Sequence, residues 1–97
     1  MFLHIVKATC LGGYKLKLVF DDGVTVEVDL RNELHGEVFE PLRDLDTFRQ
    51  VMVNRETHTI EWPNGADFAP EFLREIGQVM EAAASPVPLR AAALPVS

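Results

Sequence analysis

The 97-residue chain has one cysteine, few basic residues, no long apolar run and no recognisable nucleophile motif. A lone Cys10 forms no internal disulfide and builds no thiolate metal site by itself. With Val6, Ala8 and Leu11 as neighbours it reads as a small buried apolar residue. Lys and Arg total 9 against 15 Asp and Glu, a formal charge of −6. That balance argues against nucleic-acid binding by charge, which needs a basic surface. No run approaches the roughly 20 apolar residues that span a bilayer, so no membrane partner is expected. Residues 1–7 are too short, with the wrong charge order, for a signal peptide, and a cytoplasmic location is the expectation. His4, His35 and His58 lack ligand-like spacing, and Gly12-Gly13 lacks the lysine and helix of a phosphate-binding loop. Neither metal nor cofactor is expected.

What is present describes a folded domain. Hydrophobic residues make up 47% and charged residues 25%, ordinary for a globular chain and too apolar for a disordered one. A chain this short buries only about 60–65% of its unfolded surface, so a large internal cavity is costly.

The clearest pattern is a hairpin. Leu16, Leu18 and Phe20 alternate with Lys15, Lys17 and Val19; beyond Asp21-Asp22-Gly23, Val24, Val26 and Val28 alternate with Thr25, Glu27 and Asp29. A two-residue loop mixes core and solvent faces. A three-residue loop pairs Phe20 with Val24, Leu18 with Val26 and Leu16 with Val28, and sets Lys17 opposite Glu27 and Lys15 opposite Asp29. Such a loop needs a left-handed residue, which Gly23 supplies. Asp21 and Asp22 are turn formers here rather than catalytic carboxylates. Val6, Ala8 and Cys10 continue the alternation, so residues 3–30 read as a three-stranded antiparallel meander.

Asp44 or Asp46 caps a short helical turn carrying Leu45 and Phe48. A second hairpin pairs Val53 with Ile60 and Val51 with Trp62, with His58, Ile60 and Trp62 on one face. From about 69 to 84 the spacing predicts a helix, with Pro70 in its first turn. Phe72, Leu73, Ile76, Met80 and Ala83 form its apolar stripe and cover the meander, while Gly77, about 1 kcal/mol worse than alanine, is where it bends or ends. The expected architecture is α+β: an antiparallel sheet of about five strands (three-stranded meander plus hairpin) with one long C-terminal helix on one face. Residues 1–84 make one domain, and 85–97 a mobile Pro/Ala-rich tail.

Several motifs fall in order: Tyr14-Lys15-Leu16-Lys17-Leu18-Val19-Phe20, Asp22-Gly23, Asp29-Leu30, Gly36-Glu37-Val38-Phe39-Glu40-Pro41-Leu42-Arg43-Asp44, Phe48, and Ile60-Glu61-Trp62-Pro63-Asn64-Gly65-Ala66-Asp67-Phe68-Ala69-Pro70-Glu71. Over residues 3–77 the chain resembles the domain of unknown function family 2442, small prokaryotic proteins of about this length. It departs from the family in a longer turn at residues 54–58 and in everything after Met80. The resemblance implies a small α+β domain and supplies no catalytic residues. Some relatives resemble the N-terminal part of regulators that continue into a helix-turn-helix. Others are similar to proteins encoded beside a second small protein in a toxin–antitoxin-like arrangement. Only 17 residues follow Met80, too few for a helix-turn-helix, so direct DNA binding is not expected.

The segment from Trp62 to Asp67 is the candidate interaction patch, carried by Trp62, Pro63, Asn64, Gly65 and Asp67. Structurally it reads as a strand-to-helix turn, with the indole at the core edge and Asp67 accepting N–H bonds at the helix start. Functionally it pairs an aromatic with a carboxylate beside a positive helix end. His58 and Asp67 are a base–orienter combination, but no nucleophile serves it. The expected function is a non-catalytic interaction or regulatory module, the acidic partner in a toxin–antitoxin-like pair. Its partner is a small basic protein or a second copy, and homodimerisation is open to it. The alternative is a small ligand-binding protein or enzyme using a cleft near Trp62 and Asp67.

Overall fold

The computed structural model describes residues 3–82. Strands β1 (Ile5–Gly12), β2 (Lys15–Phe20) and β3 (Val24–Asp29) form the expected antiparallel meander. The β2–β3 ladder runs from Lys15 opposite Asp29, through Leu16 opposite Val28 and Leu18 opposite Val26, to Val19 opposite Thr25. This is the three-residue-loop register. Gly23 takes a φ of +88°, and its N–H donates to the Phe20 carbonyl at 3.0 Å. Leu16, Leu18, Phe20, Val26 and Val28 are buried together. Each such side chain contributes roughly 1.5–3 kcal/mol on leaving water.

Strand β1 does not follow strict alternation. Ile5 faces Phe20 and Lys7 faces Val19, so Val6 is an extra residue in a bulge; Leu11 is another, between Cys10 and Gly12. The first bulge turns Val6 outward, where it is exposed, and brings Ile5 into the core. Ala8 and Cys10 pack against that core only partly buried. The expectation that Val6 shares the core face therefore fails, because one extra residue inverts the faces on either side of it.

Two one-turn 3-10 helices, Arg31–Glu33 and Glu40–Arg43, carry the chain away from the sheet. Around them Leu30, Leu34 and Leu42 are buried. Of the two candidate caps, Asp44 serves the short helix α1 (Leu45–Phe48), its side chain accepting from the Asp46 N–H. Strands β4 (Met52–Asn54) and β5 (Thr59–Glu61) pair in the expected register, Val53 opposite Ile60. They form a separate two-stranded sheet, however, and do not extend the first to five strands. Where β1 approaches this hairpin, the Ile5 N–H donates to the His58 carbonyl at 2.9 Å. The bulge bends β1 at this point, so the contact does not grow into a ladder. His58 belongs to the turn, at φ +62°, and not to the strand face that holds Ile60.

The long C-terminal helix is absent. Helix α2 spans Pro70–Ile76, and strand β6 (Gln78–Ala82) follows as the fourth strand of the larger sheet, in the order β1-β2-β3-β6. The reason lies at Gly77: a Cβ there would sit 2.8 Å from the Leu73 carbonyl oxygen and 2.8 Å from Val28 Cγ1. Gly77 is extended, with φ −79° and ψ 160°, and hands the chain to the open edge of β3. There β6 satisfies backbone groups that a continued helix leaves unpaired. Of the predicted stripe, Leu73 is fully buried and Phe72 partly so, whereas Ile76 and Met80 are exposed. Ala83 and the predicted tail at 85–97 lie outside the described residues.

Candidate functional site

The segment from Trp62 to Asp67 folds as a tight turn. Proline presets one dihedral, Gly65 takes a φ of +91°, and its N–H donates to the Trp62 carbonyl at 2.9 Å. The Asn64 side chain accepts from the Ala66 N–H at 3.1 Å and donates to the Val38 carbonyl at 2.9 Å, which ties the turn to residues 36–42. Trp62 is fully buried, in contact range of the Phe48 and Phe68 rings. Its indole N–H donates to the Phe48 carbonyl. The exposed members are Pro63, Asn64, Gly65 and Asp67, so any contact with a partner here runs through them and not through the indole. Asp67 does not accept bonds at the helix start. It pairs through its backbone with Glu61, and the N-cap Ala69 offers no side-chain bond.

A cleft opens elsewhere, on the side of the β4–β5 hairpin turn facing β1. Ile5, Val6, Val53, Arg55 and His58 line a volume of about 430 Å³. The turn is braced by Asn54, whose side-chain oxygen accepts from Glu56 N–H at 2.7 Å and Thr57 N–H at 3.2 Å. The His58 ring stacks on His4, centroids 4.0 Å apart, and His4 Nδ1 meets Asp21 Oδ2 at 3.3 Å. The sequence offers Val6 and Val53 as strand residues and only His58 as a candidate site residue. The readable signal was an asparagine opening an extended hairpin turn that carries Arg55; the contribution of β1 comes from its bulge and is invisible locally.

A shallower recess of about 470 Å³ is lined by Tyr14, Arg31, Asn32 and Arg43. Arg43 Nε donates to the Leu34 carbonyl at 3.1 Å, and the Tyr14 hydroxyl donates to the Arg43 carbonyl.

The third surface is β6, the outermost strand of the larger sheet among the described residues. Val79 stands opposite Val26 on the core side of the sheet yet is 60% exposed, beside Met80 and Ile76. Met80 is the extra residue of a bulge against β3. Five residues of edge strand carry neither lysine nor proline, the usual protections of an open edge.

Burial pushes the Cys10 thiol up, with the Arg49 charge opposing. Arg74, hydrogen-bonded to Asp22, holds the Asp22 carboxyl below its ordinary range. Among the described residues no group of three or more His, Cys, Asp or Glu is placed to hold a metal ion, and no helix is long and apolar enough to cross a membrane.

Compared with known proteins, residues 5–78 match the family model described as "Protein of unknown function (DUF2442)", well over half of the chain. No curated protein and no solved structure matches it at a significant level.

Proposed function

The chain belongs to the family described as protein of unknown function DUF2442, and from that premise we propose that it is a non-catalytic interaction module whose β6 edge receives a strand of a small basic partner. The observation that carries this reading is the exposed β6 edge, with Val79, Met80 and Ile76 uncovered beside it. An added strand pairs its backbone with the edge while alternate side chains cover the apolar residues. The charge pattern selects the partner. Glu71 and Glu75 on α2 are exposed, and the one cation of that helix, Arg74, is already paired with Asp22 at 2.8 Å. With the overall charge of −6, this surface attracts a basic protein and repels a second acidic copy. Such a chain suits the acidic member of a toxin–antitoxin-like pair in the cytoplasm.

The test is co-expression with any small basic protein that an adjacent gene encodes, followed by native mass spectrometry. A one-to-one complex is expected, weakening as salt rises and lost in Val79→Lys. No complex, or one indifferent to that substitution, overturns the reading.

A further inference from the structure

Arg49 is paired with Asp46 and Arg74 with Asp22, whereas Arg31, Arg43 and Arg55 have no carboxylate within 4.0 Å among the described residues. Arg55 instead lines the cleft beside β1, together with His58 and three aliphatic side chains. Ile5 there is buried and Val53 partly buried, while Val6, turned out by its bulge, is 56% exposed. The lining is thus mixed, with aliphatic side chains from β1 and β4 on one side and one full positive charge and one imidazole at the turn. The volume of about 430 Å³ lies within the range of small-molecule sites.

The turn backbone that carries Arg55, together with the His58 ring, is held in place before any ligand arrives. Asn54 binds the turn from within through Glu56 and Thr57, and the Asn54 carbonyl accepts from the His58 N–H at 2.7 Å. From outside, the Ile5 N–H holds the His58 carbonyl, and His4 stacks on the His58 ring. His58 keeps a left-handed φ of +62°, a conformation unfavourable for a residue with a Cβ and maintained here by these bonds. Such bracing lowers the ordering cost of binding. Asp21 is engaged with His4, and Glu56 is not among the lining residues.

We propose that this cleft binds a small monocarboxylate with an apolar body. The carboxylate meets the Arg55 guanidinium and an imidazole N–H of His58, and the body lies against Ile5, Val6 and Val53. One charge with aliphatic walls fits a monoanion better than a phosphate, whose second charge loses its hydration without a second cation in return. The site is independent of the β6 edge, which lies across the sheet from β1.

Amide spectra of the ¹⁵N-labelled full chain, titrated with hexanoate and with its neutral isostere hexanamide, test this. Hexanoate is expected to shift the Val6, Val53 and His58 amides saturably, with hexanamide at least tenfold weaker. Arg55→Gln, an exposed turn substitution, should lower hexanoate affinity at least tenfold while leaving the rest of the spectrum in place. Arg43→Gln in the other recess and Val79→Lys on β6 should leave hexanoate binding unchanged. Equal binding of the amide, undiminished binding in Arg55→Gln, loss of binding in Arg43→Gln, or no saturable shift at the cleft each overturns the proposal.

Discussion

The indole N–H of Trp62 donates to the backbone carbonyl of Phe48 at 2.8 Å, and the two rings lie 5.6 Å apart. One residue at the end of β5 thereby anchors the C-terminal end of α1, fourteen positions earlier. The small hairpin sheet joins the core through this tie and through Thr59, whose hydroxyl donates to the Phe68 carbonyl at 2.5 Å.

Trp62→Phe removes the donor and leaves a void where the larger ring sat. The Phe48 carbonyl keeps its bond from the Val51 N–H at 3.3 Å, which softens the loss. The expected cost is about 1–3 kcal/mol, read from urea unfolding. An unchanged midpoint shows that the tie adds no stability.

Gly77→Ala distinguishes the observed α2–β6 junction from a continuous helix by the sign of its effect. Inside a helix, alanine stabilises by about 1 kcal/mol over glycine. At this junction the new Cβ lies 2.8 Å from Leu73 oxygen and from Val28 Cγ1, and 3.1 Å from Val26 Cβ. Overpacking of this kind costs about 1–3 kcal/mol. Thermal unfolding should therefore show destabilisation, with faster amide exchange in β6 than in β2.

The Asp22 carboxylate accepts from Arg74 Nη2 at 2.8 Å and from the Val24 N–H at 3.1 Å. Its pKa is depressed in the fold, chiefly by the Arg74 hydrogen bond. A depressed carboxylate contributes stability above its unfolded value and loses it as pH falls through the lower folded value. Asp22→Asn should thus destabilise at neutral pH, and the gap to the parent should close below about pH 3.9, the ordinary aspartate value. Added salt should narrow the gap at neutral pH, because both side chains are partly exposed. Parallel stability–pH curves for parent and variant contradict this account.

The β2–β3 hairpin was legible because its determinants are local. Leu18 opposite Val26 and Lys17 opposite Glu27 follow from period two and from one glycine at the loop. The same reasoning found Val53 opposite Ile60 and Asp44 as one of two candidate caps. It misplaced Val6, since a bulge is set by how two strands settle together and leaves no mark on the alternation. For the candidate patch it read the turn at Pro63-Asn64-Gly65 correctly, while the Asn64 bond to Val38 needed the fold. The cleft was unreadable because its walls come from β1 and from a turn some fifty residues later.

The amino-acid order alone determined the α+β class and the β2–β3 pairing, which rest on near neighbours and alternating faces, and it carries the motifs that mark the family. Tertiary structure decided the fate of residues 77–82. Phe72, Leu73, Ile76 and Met80 suit a helix by spacing, and locally only the weak point at Gly77 opposes it, which is where α2 ends. The crowding of Gly77 against Val28, and the unpaired edge of β3 waiting beside it, exist only once the sheet has formed. Those long-range contacts outweigh a helix preference worth only tenths of a kilocalorie per residue.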